Sequence, residues 1–515
     1  METIKALVAV LVTLSVVMLL APAWFPTLIS RDDARRLFRL MALTLCAAFL
    51  LPNFWAFILA MCMLVKIHDK PHVSVEERDT WRLQMFMALV FSVSCMPVEV
   101  PTFGIVGQLI SLSHQNCLVL LLLFMGGSEP RPPIPTRESR AFWLFLWLYL
   151  GGSLAIEVVV LGYELTWLLR SLAGHFVNEV AFLLLILRYH HSREHLVRVL
   201  TVLAVVGVWL GVLAVAEFLL SWSMHRVAIF RWGLFWRLAS DLERDGFLRA
   251  KGTMGQPLAL AGLSLVLSPL AAGLRHVVKA RLHQVASLVG GNLAMLMASL
   301  SRGGMLIMGG QVLLQGWLGR HRWRNVFLIS LAALVSAVGL AAVSTSFQRT
   351  FARLLGQADA EEVRDYREML LESGMALVQQ SPWTGVPNFM TQLEHLRQGE
   401  GIIDLVNTYL AISLSYGMPV ALCFLLMTVS LMVSLWRLRS RQGEDGGYRA
   451  VTDGLLLGLL GLAVFLYFMS YMNMMQSLLF ISLGLGVGWI RAQGVPPPAK
   501  PRADDGGLRD RFHTW

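Results

Sequence analysis

"SLSRGGMLIMGG", residues 299–310, contains Arg302, the one charged residue between His283 and Arg320. Everything around it is apolar or small. A guanidinium at the centre of a bilayer costs at least a few kcal/mol, so its depth in the chain's architecture has to be settled first. "RHVVKARLH" precedes the apolar stretch and "GRHRWRN" follows it. Both are basic, and basic short loops mark the cytoplasmic side of a membrane protein. Residues 284–319 therefore cross the membrane twice. Each arm is about 17 residues, or about 26 Å of helix, just enough for one crossing. "SRGG" is then the tip of a hairpin at the outer membrane face, with Gly303 and Gly304 expected to permit the reversal.

The same pattern extends over the whole chain. Its 515 residues are 56% hydrophobic and 15% charged, against about 25% charged in soluble domains. Fifteen apolar runs qualify as candidate spans, several of them short, which predicts an all-α polytopic protein with about 12–15 transmembrane helices. The first of them, "METIKALVAVLVTLSVVMLLAPAW", has a weakly charged start and a long apolar core, and reads as a retained span rather than a cleaved signal peptide. No alternating pattern suggests a barrel. The formal charge of +10 sits largely in short loops flanking spans, so nucleic acid is not an expected partner. Cys46, Cys62, Cys95, Cys117 and Cys423 lie singly in apolar runs, with no zinc spacing. No carboxylate cluster suggests a divalent ion. No metal or cofactor is expected.

The chain divides into transmembrane helices over 1–190, further helices over 191–344 with an outer loop at 222–255 and the Arg302 hairpin, a large outer loop at 345–404, transmembrane helices over 405–491, and a charged, Pro-rich tail over 492–515 expected to be cytoplasmic and disordered. Long loops on one face of a rigid scaffold are where function usually sits. The first loop carries Arg226, Arg231, Arg237, Arg244, Arg249 and Lys251 against Asp241, Glu243 and Asp245, on the side where positive loops are disfavoured. Within it, "VAIFRWGLFWRLASDL" reads as an interfacial amphipathic helix. Its arginines either snorkel to headgroups or serve a ligand. In the second loop, "DAEEVRDYREMLLESGMALVQQ" reads as a helix with Arg364 and Arg367 on one face. "SPWTGVPNF" turns the chain, and "GEGIIDLVNTYLAISLSYG" leads back into a span over 405–436.

Arginine suits a pyrophosphate leaving group, being always charged and able to fork two oxygens. Arg302, Arg249 and Lys251 are candidates to hold such an anion, with Arg364 and Arg367 closing over it. Asp404 is the candidate general base at the mouth of a span, with a helix N-cap as the competing role; Glu400 and His395 are weaker candidates. Glu157, Glu164, Arg170, His175, Asn178, Glu179 and Glu217 form a second polar group within or near spans. Such residues mark function by default and would also suit a proton path in a transporter.

In "RAKGTMGQPLALAG", "SLSRGG" and "SPWTG" followed by "DLVNTYL…SYGMPVAL", in this order and spacing, the chain resembles the O-antigen ligase / Wzy polymerase superfamily over roughly 195–490. The resemblance implies a bacterial inner-membrane, GT-C-like glycosyltransferase. It implies transfer of a glycan from undecaprenyl pyrophosphate at the periplasmic face, by metal-independent inverting transfer, with Asn407 and Tyr409 of "NTYL" among the substrate-binding residues. Implied partners are the lipid-linked glycan, membrane lipids and a chain-length regulator of the polysaccharide co-polymerase kind. Ligases of the family commonly carry a His just before the Asn segment. Val406 stands there instead, which favours a polymerase of exopolysaccharide or O-antigen repeat units over a ligase. A flippase of lipid-linked sugars is the alternative of another class.

This topology makes a direct prediction. In a variant without native cysteines, Gly303→Cys should react with a membrane-impermeant thiol reagent in intact cells, whereas His321→Cys should react only after permeabilisation. The reverse labelling pattern would remove the hairpin tip from the outer face.

Overall fold

The computed structural model describes residues 1–24, 30–100, 110–126, 136–160, 162, 164–234, 241–244, 246–278, 282–319, 321–331, 360–397, 403, 405, 407–443, 447–470 and 473–492. The chain is an all-α, multi-pass membrane protein. Among the described residues, eight helices are long and apolar enough to cross a membrane, and three shorter apolar helices join them. The N-terminal part comprises α1 (Glu2–Trp24), α2 (Arg31–Leu50), α3 (Phe54–His68), α4 (Val75–Leu89), α5 (His114–Phe124), α6 (Arg140–Ala155), α7 (Leu165–His175), α8 (Ala181–Tyr189) and α9 (Arg193–Leu220). The expected span over 165–187 is a continuous helix, but residues 176–180 between α7 and α8 wind as a π-helical turn; residues 156–160 at the end of α6 do the same. Thr13 of α1 accepts a hydrogen bond from the Trp209 indole of α9 at 3.2 Å, fixing the first helix to the bundle.

The second half builds the hairpin and its supports. It comprises α10 (Arg226–Arg231), α11 (Pro257–Val278), α12 (Leu282–Ala298), α13 (Arg302–Leu318), α14 (Ala360–Gln380), α15 (Phe389–Gln392), α16 (Thr408–Tyr416), α17 (Met418–Arg441), α18 (Gly447–Phe465) and α19 (Asn473–Arg491). The main pairings are α11 with α18, α9 with α12, and α6 with α17. α14 is the helix expected in the second loop.

Helix pairs in a membrane gain little from apolar burial, so close backbone approach and buried amides hold them together. Both devices position the hairpin. A Cβ on Gly211 of α9 would lie 1.8 Å from the Gly291 carbonyl oxygen of α12; the two helices touch backbone to backbone. At the next residue of α12, buried Asn292 donates to Ala204 O at 3.2 Å, and its backbone carbonyl accepts from Ser264 Oγ at 2.7 Å, joining α9, α11 and α12. In the other arm, buried Gln311 of α13 donates to Leu265 O at 3.0 Å and to Leu457 O at 2.7 Å, joining α11 and α18.

Three expectations need correction. The hairpin reverses at Ser299–Ser301, with Leu300 in the left-handed region at φ 51°, not at the glycines. Gly303 and Gly304 belong to the first turn of α13, where Gly304 permits close packing: a Cβ there would stand 2.8 Å from Leu296 Cδ1. The helix expected over 227–242 stops at Arg231, because Gly233 takes φ 73°; Arg237 lies outside the described residues. The expected single span over 405–436 is two helices, α16 and α17, broken at Gly417.

The α9–α12 contact generates a paired prediction. Gly211→Ala should force the helices apart and cost about 1–3 kcal/mol, as overpacking does. Gly290→Ala, which meets nothing within 4 Å, should change stability by no more than about 1 kcal/mol, in the direction of helix propensity. Thermal unfolding in detergent reads both.

Candidate functional site

The site is assembled where the first loop returns to the bundle. Glu217, 1% exposed in the last turn of α9, accepts three backbone N–H groups: Met224 at 3.1 Å, Lys251 at 3.3 Å and Gly252 at 2.8 Å. The loop is thereby gripped at both ends. Between them, Glu243–Arg244 pairs antiparallel with Phe247–Leu248 about Gly246. This short ladder brings the loop onto the hairpin tip. Ala250 N–H donates to Ala298 O at 3.0 Å, Arg249 Nε to Ser299 O at 3.1 Å, and Arg244 Nη1 to Leu300 O at 2.5 Å. Two guanidinium groups thus cover the carbonyls of the reversal, and Arg302 follows it directly.

Arg302 is half-buried in the first turn of α13, after Ser301, which caps the helix by accepting from Gly304 N–H at 3.3 Å. A helix N-terminus favours anions, so a cation there opposes the helix dipole. Burial, with the charges of Arg244 and Arg367 adding to it, pushes the Arg249 guanidinium down to about 10. It remains cationic at neutral pH. Exposed Arg367 of α14 lines a cavity of about 160 Å³ together with Asn407, Tyr467 and Phe468. Arg249, Arg244 and Arg367 are therefore close enough to repel, and an anion among them relieves that repulsion.

Not every expected residue joins this group. Lys251 is buried and faces Asp241 at 3.9 Å. Asp241 also pairs with Arg226 and accepts from Ser223 Oγ at 2.8 Å. Burial lowers the Lys251 pKa and Arg226 adds to this, while Asp241 and Glu217 raise it. Lys251 works inside the loop, locking it. Asn407 caps α16 by accepting from Leu410 N–H at 3.1 Å, so the helix start expected near Asp404 belongs to Asn407. Tyr409 points into the bundle and donates to Ala463 O at 2.8 Å. Arg231 donates to Leu50 O at 3.1 Å and is exposed. His395 lies in a short turn and is exposed. Asp404, Glu400 and the side chain of Arg364 lie outside the described residues.

Arg244 was counted in the charged first loop but not singled out; only the ladder reveals its position. Glu217 was grouped with the intramembrane carboxylates, yet it braces the loop instead. Its signal was visible in the sequence, a lone carboxylate in the last apolar turn before a glycine-rich return.

Residues 285–425 match the family model described as O-Antigen ligase. This stretch holds the hairpin, the second loop and the start of α17. Arg244, Arg249 and Glu217 fall before the matched stretch. No curated protein matches the chain.

Replacing Glu217 by Gln tests the brace. Whichever way it is turned, the amide would set its NH2 against at least one of the three backbone donors. Stability should fall by about 1–3 kcal/mol, and proteolytic cleavage should appear between residues 241 and 252. An unchanged digestion pattern would show that the loop holds itself.

Proposed function

Because residues 285–425 match the O-antigen ligase family model, we propose that the protein polymerises lipid-linked oligosaccharide repeat units at the periplasmic face of the bacterial inner membrane, from an undecaprenyl-pyrophosphate donor. The observation that carries this reading is the arginine group at the hairpin tip. Arg244 and Arg249 are bound to the Leu300 and Ser299 carbonyls, Arg249 feels the charge of Arg367, and Arg302 opens α13 beside them.

In the proposed reaction an acceptor hydroxyl oxygen attacks the anomeric carbon from the face opposite the pyrophosphate. The new glycosidic bond forms as the bond from the anomeric carbon to the phosphate oxygen breaks. The electron pair leaves with the lipid pyrophosphate, and the hydroxyl proton passes to a base. Fixed cations are worth most where charge grows in a site with little water. Arg302 and Arg249 are assigned to the pyrophosphate, with the N-terminus of α13 adding its dipole. Arg364 and Arg367, on the helix above, are assigned to close over it, and Asn407 to the glycan. Asp404, three residues before the α16 cap, is the proposed base. Lys251 acts indirectly, through the loop. The transfer is proposed to need no metal ion. Transfer to a different acceptor, as the O-antigen ligase description suggests, is the second reading; it uses the same donor geometry and differs only in product.

Arg302→Lys separates a phosphate fork from a residue that merely reaches toward headgroups. Lysine keeps the charge but replaces a rigid two-point contact with a mobile one. The rate of polymer formation should fall by roughly a hundredfold, the scale of losing one oxyanion donor, at unchanged protein level. Lipid-linked repeat units should accumulate. The measurement is a gel of extracted glycan beside an immunoblot. Normal polymer from a well-expressed variant would take Arg302 out of the reaction. Loss of a single-repeat transfer product, with no ladder in the wild type, would favour the ligase reading.

A further inference from the structure

A second polar group lies at the opposite end of α16, outside the arginine group. The two π-helical turns, residues 156–160 and 176–180, place Glu157 and Glu179 in the interior between α6 and α7. Such turns insert an extra residue and re-aim side chains, frequently at functional sites. Glu179 is engaged on both oxygens: Tyr149 donates to Oε1 at 3.0 Å, and His175 Nδ1 lies 3.1 Å from Oε2. Ser153 Oγ sits 3.3 Å from the other ring nitrogen of His175. Asn178 accepts from Asn116 at 3.1 Å, and Arg170 lies over the Trp167 ring. Each of these has a local partner.

Glu157 differs. It is 5% exposed. Its Oε1 accepts from Ser171 Oγ at 2.8 Å and from Tyr416 OH at 3.3 Å. Its Oε2 is buried and has no hydrogen-bond partner among the described residues. A buried carboxylate oxygen left without a donor is costly. The same side chain lines a cavity of about 290 Å³. Asn388, Thr391, Ser415 and Tyr416 add an amide and three hydroxyls to the wall, and Phe389 adds an apolar face.

The roof of this cavity is built for its position. The "SPWTG" turn is tied to the break between α16 and α17 by Val386 N–H to Leu414 O at 2.7 Å and Met418 N–H to Pro382 O at 2.8 Å. Gly385 and Gly417, at φ 75° and 86°, permit the contact; a Cβ on Gly417 would lie 2.3 Å from Trp383 O. Residues 386–391 are thereby held across from Glu157.

We propose that this cavity is a saccharide subsite in which Glu157 Oε2 accepts a hydrogen bond from a sugar hydroxyl. The chemistry of the wall selects the class. The hydroxyls of Thr391, Ser415 and Tyr416 donate to Asn388 O, Ala411 O and Glu157 Oε1 and so face a ligand as acceptors, while the Asn388 amide brings donors, the mixture that a ring of hydroxyls requires. Aromatic faces, which carry negative charge density, meet the C–H face of a pyranose. A single carboxylate among neutral groups is too few ligands for a hard cation, which takes six or more oxygens. The volume stands at the low end for small-molecule sites, about 300 Å³, which suits one sugar residue and excludes a whole repeat unit. Asn407 in the cavity of Arg367 and Tyr416 in this one stand at the two ends of α16, about 13 Å apart along the helix. A glycan with its reacting end at the arginines reaches the Glu157 subsite a few sugar residues further on. The assignment rests on the proposed glycan chemistry for that placement, while sugar binding itself is measured without turnover.

The test is saturation-transfer NMR on the full chain purified in detergent, with the methyl pyranosides of glucose, galactose, mannose and N-acetylglucosamine supplied one at a time. At least one should receive saturation from the wild type. The signal should fall at least fivefold in Glu157→Leu and in Asn388→Gly, which keeps the left-handed backbone at that position and removes the amide. It should persist in Arg302→Lys, so that failure of the catalytic reading and failure of this one are told apart. Absence of transfer to all four sugars in the wild type would overturn the proposal. So would a signal undiminished in Glu157→Leu. Should Glu157→Leu fail to fold, an undiminished signal in Asn388→Gly decides against it, and a lost signal in that folded variant decides for it.

Discussion

Three backbone N–H groups converge on the Glu217 carboxylate, and the geometry of the arginine group depends on that convergence. Without it, the segment from 221 to 252 keeps the packing of Met224, Ala228, Trp232 and Ala250 against the bundle but loses the group that ties its two ends together. With it, both ends of the segment are fixed to the last turn of α9. A carboxylate accepting backbone donors makes charge-assisted hydrogen bonds, roughly twice as strong as neutral ones. The ladder between the fixed ends then has one way to lie, across the hairpin tip. The Asp241 pairs with Arg226 and Lys251 close the inner side of the loop. Arg244 and Arg249 are left on the outer side, on the carbonyls of Ser299 and Leu300.

The hairpin tip can receive those arginines because both arms beneath it are immobilised by groups that would be poor choices in a soluble core. Asn292 and Gln311 are buried amides, and each bonds to backbone carbonyls of neighbouring helices. In lipid such bonds have no water to compete with, although measured contributions average well under 2 kcal/mol each. Position matters more than strength here. The amides set the rotation and depth of α12 and α13, so the Ser299–Ser301 reversal is fixed relative to α11 and α18. The Gly211–Gly291 contact sets the spacing to α9, the helix that carries Glu217. Brace and tip are therefore referred to the same pair of helices.

Much of this was legible from the residues. Charge asymmetry around 284–319 located the hairpin, and the acidic, periodic stretch at 360–380 was recognisable as a helix. What escaped were features decided by single backbone angles. Leu300, not glycine, takes the left-handed angle, because the reversal is imposed by two tertiary-anchored helices and not by local preference. Gly233 and Gly417 end helices that apolar periodicity would have continued. The candidate residues divide in the same way. Charge on the predicted outer face points to Arg249, Arg302 and Arg367, of which Arg249 and Arg367 lie close enough for their charges to act on each other. Lys251, suggested by the same charge, and Tyr409, implied by the resemblance, turn their side chains inward to Asp241 and Ala463. Adjacency in sequence says little about direction in a turn or at a helix entrance.

The contrast between the two ends of the bundle bears on how the arginines should be understood. At the end expected to be cytoplasmic, buried arginines meet carboxylates: Arg82 with Asp69 at 2.6 Å and Arg439 with Asp453 at 2.5 Å. Those charges are neutralised within the protein and serve packing. At the hairpin end, Arg249 meets the Ser299 carbonyl and the charges of two further arginines. Carbonyl dipoles orient a guanidinium without cancelling its charge. The result is a directed field of positive charge at the mouth of a helix, whose own N-terminal dipole has the same sign. Each cation in such a group raises the energy of the others. On the proposed function, an anion that arrives from the membrane lowers it for all of them at once, and most when its charge grows as a bond to phosphate breaks.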